Sequence, residues 1–234
     1  IRLIKQASQI FEDLFDRRNF ILQKLDEQGV LTNELKTKIL GAKDLISLED
    51  LYLPYKKRKR SKADIAIENG LEPLAMKIIQ NINIDLNTEI NQFIPTPYHS
   101  RSEVLDGIKF IISDFINRDD ELRHRLRNRM WNEGLLVSKL SKGKELSAEK
   151  FKDYFDFKEL LKKIPSHRYL AIRRGEEEKL LKVDLFLEDD VFIKIIGRKY
   201  FSLGSKDLLL LMRLAVEESW TRLLYPSLVL QIHH

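Results

Sequence analysis

Apolar residues recur at close to the helical period along most of this chain, and that recurrence limits what it can fold into. From Leu3 to Leu25 they fall at Leu3, Ala7, Ile10, Leu14, Ile21, Leu22 and Leu25, with Phe11 and Phe15 widening the stripe. The pattern predicts a long amphipathic helix with one face in need of partners. Gly29 stops it, Thr32 is placed to cap a second helix through Gly41, and Ser47-x-x-Asp50 has the form of a capping box for a third. Pro54 ends that third helix. Ser61-x-x-Asp64 caps the next, which stops at Gly70, and Glu72-Pro73 opens another with proline in the first turn, where its missing N–H costs nothing. The last two are short and split by a glycine, as in a helix-turn-helix-like corner.

Residues 81–98 are polar and hold Pro95 and Pro97, which predicts an irregular link. Ser100-x-x-Glu103 opens a helix with Val104, Ile108, Ile111, Ile112 and Phe115 on one face. Gly107 inside it costs about 1 kcal/mol against alanine and marks a close helix contact. Another helix runs from about Asp120 to Glu133, acidic first and arginine-rich later, with Leu122, Leu126 and Met130 as its buried stripe. Residues 147–164 read as short helices rich in aromatics. After Pro165 the period drops to two: Arg168–Arg173, Leu180–Leu187 and Val191–Ile196 read as strands, with turns at 175–178 and 188–190. A last helix, Lys206–Leu224, carries Leu209, Met212, Val216, Trp220 and Leu223.

The expected fold is therefore mainly α, a multihelical array with one small antiparallel sheet of about three strands near residues 167–197. Three segments follow: a helical region 1–166 containing the corner and a basic connector at 55–62, the sheet at 167–197, and a C-terminal helix within 198–234 that packs back on the helical region. With 234 residues, 43% of them hydrophobic and 33% charged, the chain can bury a real core. Cysteine is absent, which excludes disulfides and thiolate metal sites. The longest uninterrupted apolar run, Leu208–Met212, is far short of a membrane span, and no secretory leader is expected. A start at Ile1 inside an amphipathic pattern and an end at His233-His234 point to an excised piece, so those histidines are kept out of site reasoning.

Charge is concentrated in one place. Six of the seven residues Lys56, Lys57, Arg58, Lys59, Arg60, Ser61 and Lys62 are basic, and they account for the whole formal net charge of +5. A local cationic loop attracts a polyanion, and Tyr52 and Tyr55 beside it have faces on which unpaired bases can stack. The candidate site is Tyr55, Lys56, Lys57, Arg58, Lys59, Arg60 and Lys62. The competing reading is a solvated connector with its tyrosines packed inward.

The stretch LEDLYLPYKKRKRSKADIAIENGLEPLA, Leu48 to Ala75, resembles the N-terminal signature of the bacterial transcription accessory protein family Tex. Matching positions include Leu48, Asp50, Leu51, Tyr52, Leu53, Pro54, Tyr55, Lys56, Lys62, Ala63 and the run Gly70–Ala75, while Lys57 stands where the family has proline. Asp153–Phe157 and Lys162–Glu178 extend the resemblance. It implies a transcription-associated nucleic-acid-binding protein related to the eukaryotic factor Spt6, whose RNase H-like, helix-hairpin-helix and S1 domains lie beyond this region. It also implies a cytoplasmic protein with nucleic acid and RNA polymerase as partners. The chain would then be the scaffold part, with an auxiliary contact through the basic loop. The alternative is a scaffold that docks those domains or the polymerase without touching nucleic acid.

Other clusters carry less. Arg118, Arg123, Arg125, Arg127 and Arg129 sit at pairing distance from acids such as Asp119 and Glu121, which favours helix-surface ion pairs. Glu121-x-x-His124 has half the spacing of a di-iron carboxylate site but no second copy. His167 reads as a residue at the start of a strand, and 173–178 as a charged hairpin tip. No reaction, metal, cofactor, small-molecule substrate or membrane is expected.

Overall fold

The structure, a computed structural model, describes residues 2–56, 59–80, 84–200 and 204–233, and for residues 2–10 and His233 the backbone alone. Lys57, Arg58 and Asn81 lie outside the described residues, as do the side chains of Leu3, Ala7 and Ile10. The chain divides into two compact units, residues 1–124 with 200–224, and residues 125–199 with 225–234.

In the first unit, α1 (Arg2–Glu27) meets α2 (Asn33–Gly41) and α3 (Leu45–Tyr52) around a cluster of Leu14, Ile21, Leu25, Leu35, Ile39, Ala42, Leu48 and Tyr52. Thr32 caps α2 by accepting from the Leu35 N–H. The cap of α3 is Asp44, which accepts from the Ser47 N–H at 2.7 Å, so the expected Ser47-x-x-Asp50 box is not formed. Asp44 wins because it lies one residue before the first apolar turn. That releases Asp50 to point inward. Phe11 and Phe15 are exposed rather than part of the buried stripe.

The rest of this unit is built on α7 (Arg101–Asn117), against which α4 (Lys62–Glu68), α5 (Glu72–Ile79), α6 (Leu86–Asn91) and α11 (Lys206–Glu218) pack. α6 falls within the stretch expected to be irregular. Its cap, Asp85, and its buried Leu86 and Ile90 supply the helical signal there. A side chain at Gly107 would come within 2.5 Å of Leu71 Cδ1 and 3.3 Å of Ala66 Cβ, so α4 and α5 approach α7 closely because that position has no Cβ. Phe115 is exposed, and the face that is buried instead runs Val104, Ile108, Ile111, Ile112 and Ile116. In α11 the buried face is Leu208, Leu211, Met212, Ala215 and Val216, continuing into Ser219, Trp220 and Leu224 of a π-helical turn, Ser219–Leu224. Met212, Val216 and Trp220 of the expected stripe are buried, whereas Leu209 points outward and Leu223 is half-buried, with Leu208, Leu211 and Leu224 completing the face. Pro226 does not end the helical path, which continues as α12 (Tyr225–His233) in the second unit.

α8 (Asp120–Glu133) carries the chain from the first unit into the second. The second unit holds the sheet: three antiparallel strands in the order β2–β1–β3, with β1 Leu135–Leu140, β2 Asp156–Leu160 and β3 Leu181–Phe186. Only β3 coincides with an expected strand. Arg168–Arg173 belongs to α9 (Ser166–Glu177), where Ile172 and Gly175 are buried at helical spacing and Pro165 takes the cap position. Val191–Ile196 belongs to α10 (Asp189–Tyr200), buried at Phe192, Ile195, Ile196 and Tyr200. Asp189 and Asp190 are the acidic first turn of that helix, not a hairpin turn, and Arg198 and Lys199 complete the dipole match at its end. The charged 173–178 run likewise closes α9 and is no hairpin tip, with Arg173 paired to Glu176 one turn on. His167 lies exposed in the first turn of the same helix. Among the described residues no helix is long and apolar enough to cross a membrane.

Candidate nucleic-acid interface

Both ends of the connector are held by side-chain contacts. α3 runs into a 3-10 turn, Leu53–Tyr55, with Pro54 inside it. One turn earlier Asp50 accepts a hydrogen bond from Arg123 Nε of α8 at 2.7 Å, and the two residues are 2% and 1% exposed. Arg123 also donates from Nη1 to the Asn117 side-chain oxygen at 3.1 Å. Arg118 Nη1 donates to the Pro54 carbonyl at 3.1 Å while its Nη2 pairs with Asp114 at 2.7 Å. The carbonyl of the proline turn therefore has a charged donor.

At the far end Ser61 and Asp64 form a full capping box. The Ser61 N–H donates to Asp64 Oδ2 at 2.7 Å, and the Asp64 N–H donates back to Ser61 Oγ at 3.2 Å. Ala63 and Ala66 behind it are buried against α7. Between these two anchors Lys56, Lys59, Arg60 and Lys62 are exposed. Lys57 and Arg58 lie outside the described residues.

The described cations are differently engaged. Lys56 Nζ is 3.9 Å from Glu49, whose other oxygen takes Arg17 at 2.5 Å. Arg60 pairs with Glu68 on the surface. Lys62 Nζ stands 4.8 Å over the Phe110 ring, as does Lys109 Nζ. Beside Lys62 a cleft of about 90 Å³ opens between Phe110 and Arg222. Exposed pairs of this kind contribute little, so both paired cations can turn to a phosphate at small cost.

Tyr52 is 6% exposed, within the cluster under α1, so base stacking on its ring is closed. Tyr55 is half-buried against the same cluster. The rings pack inward, and Phe110 near the connector is half-buried beneath the Lys62 and Lys109 ammonium groups.

Arg118, Arg123, Arg125, Arg127 and Arg129 do not form one patch. Arg118 and Arg123 brace α3, while Arg129 pairs with Glu133 at 2.9 Å and Arg127 donates to Gln231 at 3.0 Å. Arg123 is thus not the surface ion-pair residue expected from its spacing to Asp119. Asp119 instead caps α8, accepting from the Leu122 N–H at 2.9 Å, and takes the Tyr200 hydroxyl. The signal for Arg123 was present in the helical period, since 123, 126 and 130 fall on one face with Leu126 and Met130. No group of three His, Asp or Glu side chains is placed to hold a metal ion among the described residues.

The model of one family, described as Tex central region-like, matches residues 81–203, more than half of the chain. The chain belongs to that Tex family. It is 35% identical over 240 residues to the transcriptional accessory protein Tex of Neisseria gonorrhoeae, covering 99% of this chain and 31% of that protein. With protein tex of Bordetella pertussis it shares 38% over 173 residues, 73% of this chain and 22% of the relative. With the human S1 RNA-binding domain-containing protein 1 it shares 25% over 244 residues, 97% of this chain and 24% of the relative. The chain spans between about a fifth and a third of these proteins.

Seven of the sixteen residues matched to the Tex signature lie in the core. Leu48, Asp50, Tyr52, Ala63, Leu71, Leu74 and Ala75 are buried. Asp50 and Pro54 of the Tex-like motif thus belong to the near anchor, and its Ala63 is buried behind the far one.

Proposed function

We propose that this chain is the scaffold part of a Tex-like transcription accessory protein of the cytoplasm, and that it makes an auxiliary, sequence-independent contact with nucleic acid through Lys56–Lys62. The observation that carries the reading is the connector itself: a cationic segment pinned at Asp50–Arg123 and Pro54–Arg118 on one side and by the Ser61–Asp64 box on the other. Anchored ends hold the charges outward and lower the ordering cost of a phosphate contact. The contact reads backbone charge and carries no base readout. The chain works by binding, without a reaction of its own. Replacing Lys57, Arg58, Lys59 and Arg60 with serine removes the contact while leaving the anchors in place. In a fluorescence anisotropy titration against labelled duplex DNA, the variant is expected to lose binding with its far-UV circular dichroism unchanged.

A second reading is supported by a groove of about 900 Å³ in the first unit, where exposed Phe11, Phe15 and Leu40 surround Arg18. Large apolar side chains at a groove mark a docking surface. On this reading the scaffold seats the RNase H-like, helix-hairpin-helix or S1 part of the longer protein, or RNA polymerase. Full retention of duplex binding in the connector variant would favour it.

A further inference from the structure

The sheet of the second unit has one covered and one open face. Leu136 and Ser138 of β1 and Leu181 and Leu185 of β3 point to the covered side, where Leu181 packs with Ala148 and Phe151. Side chains alternate along a strand, so the odd-numbered residues of β1 point the other way. With their register partners they bring Leu135, Val137, Lys139, Asp156, Lys158, Lys182, Asp184 and Phe186 onto a second face. Phe186 is 50% exposed, and Lys139, Lys158, Lys182 and both aspartates are exposed as well.

The arrangement on that face is ordered. Lys139 and Lys182 are direct register partners at one end. Phe186 stands at the other, paired with Leu135. Lys158 reaches over the central strand to place Nζ 4.5 Å from the Phe186 ring centroid. Asp184 is engaged by the Tyr225 hydroxyl at 3.1 Å, so one of the two carboxylates is already satisfied within the unit.

We propose that this open face binds a short single strand of nucleic acid, one base stacking on Phe186 and the adjoining phosphates running toward Lys158, Lys139 and Lys182. An exposed aromatic on an open sheet with cations beside it supplies a stacking platform and a backbone track together. Lys158 occupies the ring in the absence of a strand. Base stacking is the stronger contact, so a base displaces the ammonium toward its own phosphate. Duplexes hide their base faces and gain nothing from Phe186. The site shares no residue with the connector and stands or falls separately from it.

The test compares labelled oligo(U), oligo(dT) and a duplex, titrated against this chain and its Phe186→Ala, Phe186→Tyr and Lys139→Ser/Lys158→Ser/Lys182→Ser variants. Phe186→Ala is expected to lose about tenfold or more in single-strand affinity and to leave duplex affinity unchanged. Phe186→Tyr retains binding, and the triple variant flattens the single-strand salt slope by about 2. Oligo(U) and oligo(dT) serve equally, since both offer a base face and phosphates; a preference for one would assign the site to RNA or to DNA within the same proposal. Equal single-strand affinity for Phe186→Ala and the parent chain overturns the proposal, as does an equal loss on duplex. The connector variant run in parallel separates the two sites: if it alone abolishes single-strand binding, the sheet face is not a binding site.

Discussion

Arg123 on α8 and Asp50 on α3 form an ion pair at 2.7 Å that is almost wholly closed to solvent, and it fixes the helix from which the basic connector departs. Removing one member of such a pair leaves the other charge buried without compensation, at a cost of about 3–5 kcal/mol. Asp50→Ala is therefore expected to lower the unfolding free energy by that amount in a urea titration. The double variant Asp50→Leu/Arg123→Met should recover most of it, because well-packed apolar residues replace a buried pair at little cost. Similar losses in the single and double variants would show that packing, not charge, dominates this site.

Trp220 is fully buried in the π-helical turn after α11. Trp220→Ala is expected to cost about 3–5 kcal/mol, a large core truncation with a cavity left behind. A loss below about 1 kcal/mol would contradict its place in the core.

Gly107→Ala tests the close approach of α4 and α5 to α7. Alanine gains about 1 kcal/mol of helix propensity, but its Cβ meets Leu71 and Ala66 at 2.5 and 3.3 Å, and overpacking costs about 1–3 kcal/mol. Leu71 can swing aside, whereas Ala66 is fixed to its own helix, so a net loss of about 1 kcal/mol is expected. A stabilised variant would mean the helices can separate freely.

Alkaline pH probes two phenols, the buried Tyr200 and the half-buried Tyr225. Burial, followed by the hydrogen bond from its hydroxyl to Asp119 and the charge there, raises Tyr200, and burial with the nearby Asp184 carboxylate pushes Tyr225 up to about 12. Both hold their protons more tightly when folded than when unfolded. Their contribution is full below pH 10 and is lost as pH rises through the folded values, so stability falls between pH 10 and about 12. In Tyr225→Phe the fall measured by chemical unfolding over that range should be shallower. An identical pH profile would remove Tyr225 from the account.

The helices were largely legible because caps and apolar stripes declare themselves locally, as at Ser61–Asp64 and Ser100–Glu103. The sheet was legible in kind but not in place. β1 is short, carries Leu135-Leu136-Val137 in succession and gains its strand character from register partners 17 or more residues away (Lys139 to Asp156 the nearest), which no local period reveals. α9 and α10 imitated strands because Tyr169, Ile172, Phe192 and Ile195 sit among apolar neighbours that blur a period of 3.6 into one of two. The candidate site was legible as charge, since a cationic run needs no fold to be seen. Its anchors were not, because Asp50 and Arg123 are 73 residues apart and their pairing exists only once α3 and α8 are packed.

The central claim, that the connector contacts phosphate, is tested most directly by the salt dependence of duplex binding for the parent chain and for Lys57→Ser/Arg58→Ser/Lys59→Ser/Arg60→Ser. Two or three cations reaching phosphates together predict a slope of log K against log salt of about −2 to −3, at an affinity no tighter than about micromolar. The variant should lose that slope together with its binding while its unfolding free energy stays within about 1 kcal/mol of the parent, since exposed charges contribute little to stability. A parent and a variant with the same affinity and the same slope would contradict the account and leave the chain a scaffold alone.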